Sequence, residues 1–144
     1  MEFRLHVSTI VQRGDKILLV QEAKEKIRGK WNLPGGHLEV GEEFILAAKR
    51  EVKEETFLAV EPHAFLGAYV TKVGSHSICF VFLANSDVGE PKSGDQILDT
   101  RWFTVEEISA LSDEELLNAP KLRQVFADYE SAKSLPMDAI VEIN

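Results

Sequence analysis

The sequence predicts an α/β/α sandwich with a central mixed β-sheet. Aliphatic, β-prone runs come in pairs around turn residues on both sides of one long acidic helix, and two further helix signals close the chain. At 144 residues the chain has the length of one domain and can bury a proper core, so residues 1–144 read as a single domain.

The elements follow in order. Leu5–Val11 and Lys16–Gln21 flank the turn Arg13-Gly14-Asp15 and read as a hairpin, with Ile17–Val20 apolar enough for a central strand covered on both faces. Glu22–Lys30 is charged and aperiodic, hence a loop. WNLPGGH, Trp31–His37, carries a proline and paired glycines, which argue against a regular element and for a sharp backbone reversal. A helix begins at Glu42, with Glu42 and Glu43 in the first turn where the helix dipole favours negative charge. Its core face is Ile45, Ala48 and Val52, beside a stripe of Ala47, Glu51 and Glu55. Two more strands, Val60–Lys72 and Ser75–Asn85, are broken at Val73-Gly74, and Ile78–Leu83 is apolar throughout. Ser86–Gln96 is a long polar loop, and Ile97–Phe103 is extended. Thr104 with Glu107, and Ser112 with Glu115, carry capping-box spacing, and Pro120 opens a last helix to about Lys133.

The composition excludes several classes. With 24 acidic and 16 basic residues, a net charge of −8 and a pI near 5.0, there is no basic footprint for a large nucleic-acid interface. Cys79 alone supports neither an internal disulfide nor a thiolate metal site, which fits a reducing compartment. The N-terminal run is interrupted by Arg4, His6, Gln12 and Arg13 and reads as neither signal peptide nor membrane span. The expectation is a cytoplasmic protein with no membrane partner.

The acidic helix does not read as a solvated surface. Glu51, Glu54 and Glu55 are surface neighbours on one patch, and like charges so spaced cost roughly 0.2–0.5 kcal/mol per pair. Something positive is needed there. Three carboxylates beside carbonyls of a glycine turn form an all-oxygen set suited to Mg²⁺ or Mn²⁺ rather than zinc. A metal so bound would let an acidic protein hold a polyanion.

These residues are also a signature. Gly36, five residues, Glu42, seven residues, then Arg50-Glu51-Val52-Lys53-Glu54-Glu55-Thr56-Phe57-Leu58 resembles the box of the Nudix hydrolases of MutT-like type, and Leu33-Pro34-Gly35-Gly36 and Arg101-Trp102-Phe103 extend the likeness. The resemblance implies the Nudix fold and metal-dependent hydrolysis of a diphosphate linked to another moiety. It implies that Glu51, Glu54, Glu55 and a carbonyl of Gly35 or Gly36 face the metal, and that Glu42 supports the helix start. It makes Arg50, Glu51 and Glu54 the catalytic set, with Arg50 orienting a glutamate. The general base is one of the three glutamates or a loop acid, with Glu90, Asp95 and Asp99 as candidates. One residue departs from the pattern: Phe57 stands where the family has the glycine that ends the helix in a left-handed conformation. The expectation is a helix that runs on or ends differently.

Around the box, Arg28, Lys30 and His37 are candidates for substrate phosphate, with Arg4 a weaker one. Each also has a bland reading as a solvated charge or a turn residue. Trp31 and Trp102 are stacking candidates of which at least one is core, and Cys79 reads as a buried structural thiol. The GHLE start of the box and the C-terminal segment resemble small Nudix phosphatases of nucleoside di- and triphosphates and thiamine-related pyrophosphates. The implied partner is a small diphosphate molecule, a nucleotide above all. The alternative is a catalytically silent Nudix-fold sensor, which the intact set of box glutamates disfavours. Oligomeric state stays open, a homodimer included.

Overall fold

The computed structural model describes residues 3–72 and 76–143. Within them one sheet contains β1 Phe3–Arg13, β2 Lys16–Glu22, β3 Trp31–Asn32, β4 Gly35–His37, β5 Glu61–Thr71, β6 His76–Asn85 and β7 Ile97–Thr104. The helices are α1 Phe44–Thr56, α2 Val105–Ser109 and α3 Ala119–Glu130. Strand order is β3-β2-β1-β6-β5, with β7 on β2 and β4 on β1. β1 and β6 run parallel. The long β1 shares one edge between β4, at His6–Ser8, and β2, at Gln12–Arg13.

Period-two alternation divides the core. Val7 and Val11 of β1 and Leu18 of β2 pack towards Ala47, Ala48 and Val52 of α1. Ile10, Ile17 and Leu19 point the other way, to Ile108, Leu122, Val125 and Phe126 of α2 and α3. Helices on both faces of a mixed sheet are the layered architecture expected. Gly14, at φ +60°, makes the β1–β2 turn, and Asn118 and Thr104 cap α3 and α2. The Val73-Gly74 break lies outside the described residues. Among the described residues no helix is long and apolar enough to cross a membrane.

Four expectations need correction. WNLPGGH is not a free reversal: Gly35 and Gly36 pair with Ser8 and Val7 as strand β4, and neither glycine needs a positive φ. Their role is space, as a Cβ on Gly35 would collide with the Val7 carbonyl. Second, α1 starts at Phe44, and Glu43 at its N-cap makes no side-chain cap. The carboxylate of Glu142 instead accepts from Phe44 N–H at 3.2 Å, brought there by a C-terminal segment whose Leu135 pairs with Phe65. Third, the Ser112–Glu115 box forms, at 2.9 and 3.2 Å, without a helix behind it. Backbone bonds from Trp31 to Glu115 and from Leu117 to Trp31 draw that segment alongside β3. Fourth, Glu22 is not in a loop but ends β2, 7% exposed.

α1 neither runs on nor ends differently. Phe57 takes the left-handed conformation itself, φ 66° and ψ 4°, and its N–H reaches the Lys53 carbonyl. A non-glycine residue there costs roughly 1–2 kcal/mol. The geometry is imposed from outside the helix. Amides of Lys92, Gly94 and Asp95 donate to the carbonyls of Thr56, Glu55 and Glu54 at 2.9, 2.9 and 3.1 Å, which satisfies the orphan carbonyls of the last turn. Gly94 has no room for a Cβ beside the Glu54 carbonyl.

Phe57→Gly should therefore raise stability by about 1 kcal/mol, and Gly94→Ala should lower it by about 1–3 kcal/mol. Urea unfolding checks both, and a Phe57→Gly variant less stable than the wild type would contradict the strain.

Candidate active site

The site forms where α1 passes β4. Gly36 lies so close to the helix that an added Cβ would sit 2.6 Å from the Glu51 carboxylate. One turn on, Glu55 reaches under the glycines and accepts from Gly35 N–H at 2.9 Å. A cavity of about 300 Å³ opens here, bordered by Gly35, Gly36, His37, Glu51, Glu54 and Glu55, with Glu22, Lys24, Asp95 and Gln96 closing its other side.

Arg50 supplies much of the positive charge demanded by the acidic helix. Its Nε and Nη2 donate to the two Glu42 oxygens at 2.7 and 2.9 Å, Nη1 to Glu51 at 2.8 Å and Glu54 at 3.3 Å, and Nη2 to the His37 carbonyl at 3.1 Å. The Glu42 hydrogen bonds, ahead of those to Glu51, hold the guanidinium firmly protonated, and Arg50 in turn pulls Glu42 below the usual carboxylate range. Glu54 is held more loosely than Glu42 and Glu51, its side chain 50% exposed.

Glu55 and Glu22 are not neutralised in this way. Burial pushes Glu55 up to about 9, reinforced by the charges of Glu22 and Glu51 against the Gly35 hydrogen bond. Burial also raises Glu51, outweighing its ion pair, and raises Glu22, whose Oε2 accepts from Asn32 at 3.3 Å. Among the described residues no three acidic, His or Cys side chains form a ready cation cage, because Glu51 and Glu54 are turned to Arg50. The donor set still fits a hard divalent ion: Glu22, Glu51 and Glu55 border one polar cavity, all oxygen, and two of them lack a cationic partner.

Other sequence candidates lie elsewhere. Arg28 donates to the Ala23 carbonyl and Lys30 to the Glu114 carbonyl, and neither borders the cavity. Lys24 does, and its ammonium has no hydrogen-bond or ion-pair partner among the described residues. His37 borders the cavity and meets His6 edge-on at 4.5 Å. Burial, then the charges of His37, Lys121, Arg4 and Lys24, push His6 down to about 4. Of the loop acids Asp95 reaches the cavity, whereas Asp99 bonds Thr100 N–H and Arg101. Trp31 is core, Trp102 lies under the Arg13 guanidinium, and Cys79 is buried against Ser8. Glu22 and Lys24 escaped the sequence reading. The signal for Glu22 was the alternation Leu18, Val20, Glu22, which carries the strand one residue past Gln21 onto the α1 face.

A mixed-sheet sandwich that buries glutamates between a glycine strand and one helix defines an acidic cleft. The NUDIX domain model matches residues 2–129, and the chain belongs to the Nudix hydrolase family. Phosphatase NudJ of Escherichia coli O1:K1 is 30% identical over 150 residues, covering 99% of this chain and 94% of that protein. The 8-oxo-dGDP phosphatase NUDT18 of Homo sapiens is 38% identical over 101 residues, 67% of this chain; the match spans 31% of that longer protein. A NUDIX hydrolase from Nitrosomonas europaea superposes with a TM-score of 0.86 at 31% identity, covering 99% of this chain and 98% of that one.

The Glu55 shift has a measurable sign. Its folded value of about 9 lies above the ordinary 4.5, so the folded chain holds the proton that the unfolded chain releases, and metal-free stability falls as pH rises through that window. In EDTA the melting temperature should drop from pH 5 to pH 9, and Glu55→Gln should flatten the drop. A melting temperature that holds level in the wild type would contradict the burial of Glu55.

Proposed function

We propose that the chain is one Nudix domain that uses Mg²⁺, or Mn²⁺, to hydrolyse a phosphoanhydride bond in a nucleoside di- or triphosphate or a similar diphosphate. The supporting observation is the convergence of Glu22, Glu51 and Glu55 on one polar cavity, two of them without a cationic partner. In this reading Glu55, Glu51 and Glu22, with a glycine carbonyl of β4, hold the ion. Bound Mg²⁺ supplies charge neutralisation on phosphoryl oxygens and acidifies water. Glu54, half-exposed and weakly tied, takes the proton of the attacking water. Arg50 keeps Glu51 and Glu54 in place through its bond to Glu42. Lys24 and His37 meet the phosphate oxygens at the mouth. The names of the relatives, an 8-oxo-dGDP phosphatase and an ADP-ribose pyrophosphatase from Methanocaldococcus jannaschii among them, favour a nucleotide.

Phosphate and pyrophosphate release from nucleoside di- and triphosphates, ADP-ribose and thiamine diphosphate tests this. Mg²⁺ should be required, EDTA should abolish turnover, and Glu55→Gln should lower kcat by about 100-fold or more. If every panel member stays intact, or the variant matches the wild type, the hydrolase reading fails; tight binding without turnover would mark a sensor.

A further inference from the structure

A second groove, about 550 Å³, lies between the end of β5 and the first turn of α3 and is bordered by Tyr69, Lys72, Asn118, Lys121 and Gln124. Its charge is opposite to that of the first cavity. Among the described residues no acidic one borders it, in a protein of net charge −8. Asp128 stands nearby with its oxygens taken by the Tyr69 hydroxyl at 2.7 Å and by Gln124 at 3.1 Å. Lys121 is half-buried and Lys72 exposed, and neither ammonium has a hydrogen-bond or ion-pair partner among the described residues.

The sheet connects the two openings. His37, His6, Cys79 and Tyr69 are register partners across β4, β1, β6 and β5, so this row begins at the first cavity and ends at the groove. At about 4.8 Å per strand it spans roughly 14 Å between backbones. Between them His6 Nε2 is buried with no hydrogen-bond partner among the described residues, and a buried polar atom so placed calls for one. Arg4 lies one row further along β1, where it pairs with Ser77.

We propose that this groove binds a second phosphate, a monoester carried on the part of the substrate that is not cleaved, through Lys121 and Lys72. The inference rests on the first cavity holding the diphosphate. It narrows the substrate class to diphosphates with a further phosphate at the far end. The groove's charge selects for that group, because two unpaired ammonium groups beside an apolar wall gain charge-assisted hydrogen bonds only from an anion.

Calorimetric titration in Ca²⁺ buffer with ADP and with adenosine 3′-phosphate 5′-diphosphate, which differ by one distal phosphate, tests it. The wild type should bind the second ligand at least about tenfold tighter. Lys121→Met should shrink that ratio, the Lys72→Met/Lys121→Met double variant should bring it near one, and Lys121→Arg should keep it. Equal affinities in the wild type, no binding of either ligand, or a ratio that survives the double variant would each overturn the proposal. A chain that hydrolyses ADP but ignores the distal phosphate loses this inference and keeps its hydrolase reading. One that discriminates through Lys121 without ever turning over does the reverse.

Discussion

The close approach of α1 to β4 is the constraint on which the site depends. Two residues without side chains set the contact: Gly35 lets β4 lie tight against β1, and Gly36 leaves room for the Glu51 carboxylate of a helix carrying three glutamates. That contact buries the Glu55 carboxylate, gives it one backbone amide, and leaves Glu51 at the mouth. A side chain at Gly36 would displace the Glu51 carboxylate from its place against the strand. The loop after β6 holds the other end: its amides cap the last carbonyls of α1, and the same turn carries Asp95 and Gln96 to the cavity.

Electrostatically the acidic helix is divided. Arg50 gathers Glu42, Glu51 and Glu54 into a network that is satisfied within the protein, while Glu55 and Glu22 stay short of positive charge. A protein that had only to fold would neutralise those two or move them to the surface, since a buried carboxylate without a partner is costly. Their position makes the cavity receptive to a cation.

Strain gathers at the same place. Phe57 and Gln96 both have positive φ, 66° and 57°, one ending the helix and the other at the cavity wall. Gln96 is held there by its carbonyl, which accepts from Ala23 N–H at 2.9 Å and ties the loop to the end of β2. Backbone conformations of this kind persist where surrounding contacts over-determine them, here the interlocking of the loop with both α1 and β2.

Local chemistry was legible in the sequence where it is short-range. Helix spacing brought the box glutamates together, capping boxes announced α2, and continuous apolar runs marked the buried strands. The long-range placements were not legible. Glu22 joins Glu55 only because β2 runs one residue further than Gln21 into the sheet, and Arg28 and Lys30 miss the cavity because a turn over Glu25–Ile27 sends Lys30 to the Glu114 carbonyl. The same holds for Gly36 to Leu58, whose residue types alone determined that an acidic helix follows a glycine segment and calls for positive charge. Tertiary structure decided which carboxylates Arg50 takes and which stay buried, and it kept the left-handed end at Phe57 that sequence reasoning expected to change. The reason is physical: helix periodicity is set by neighbours three and four residues apart, whereas burial and backbone capping are set by residues such as Glu22 and Gly94, tens of positions away along the chain.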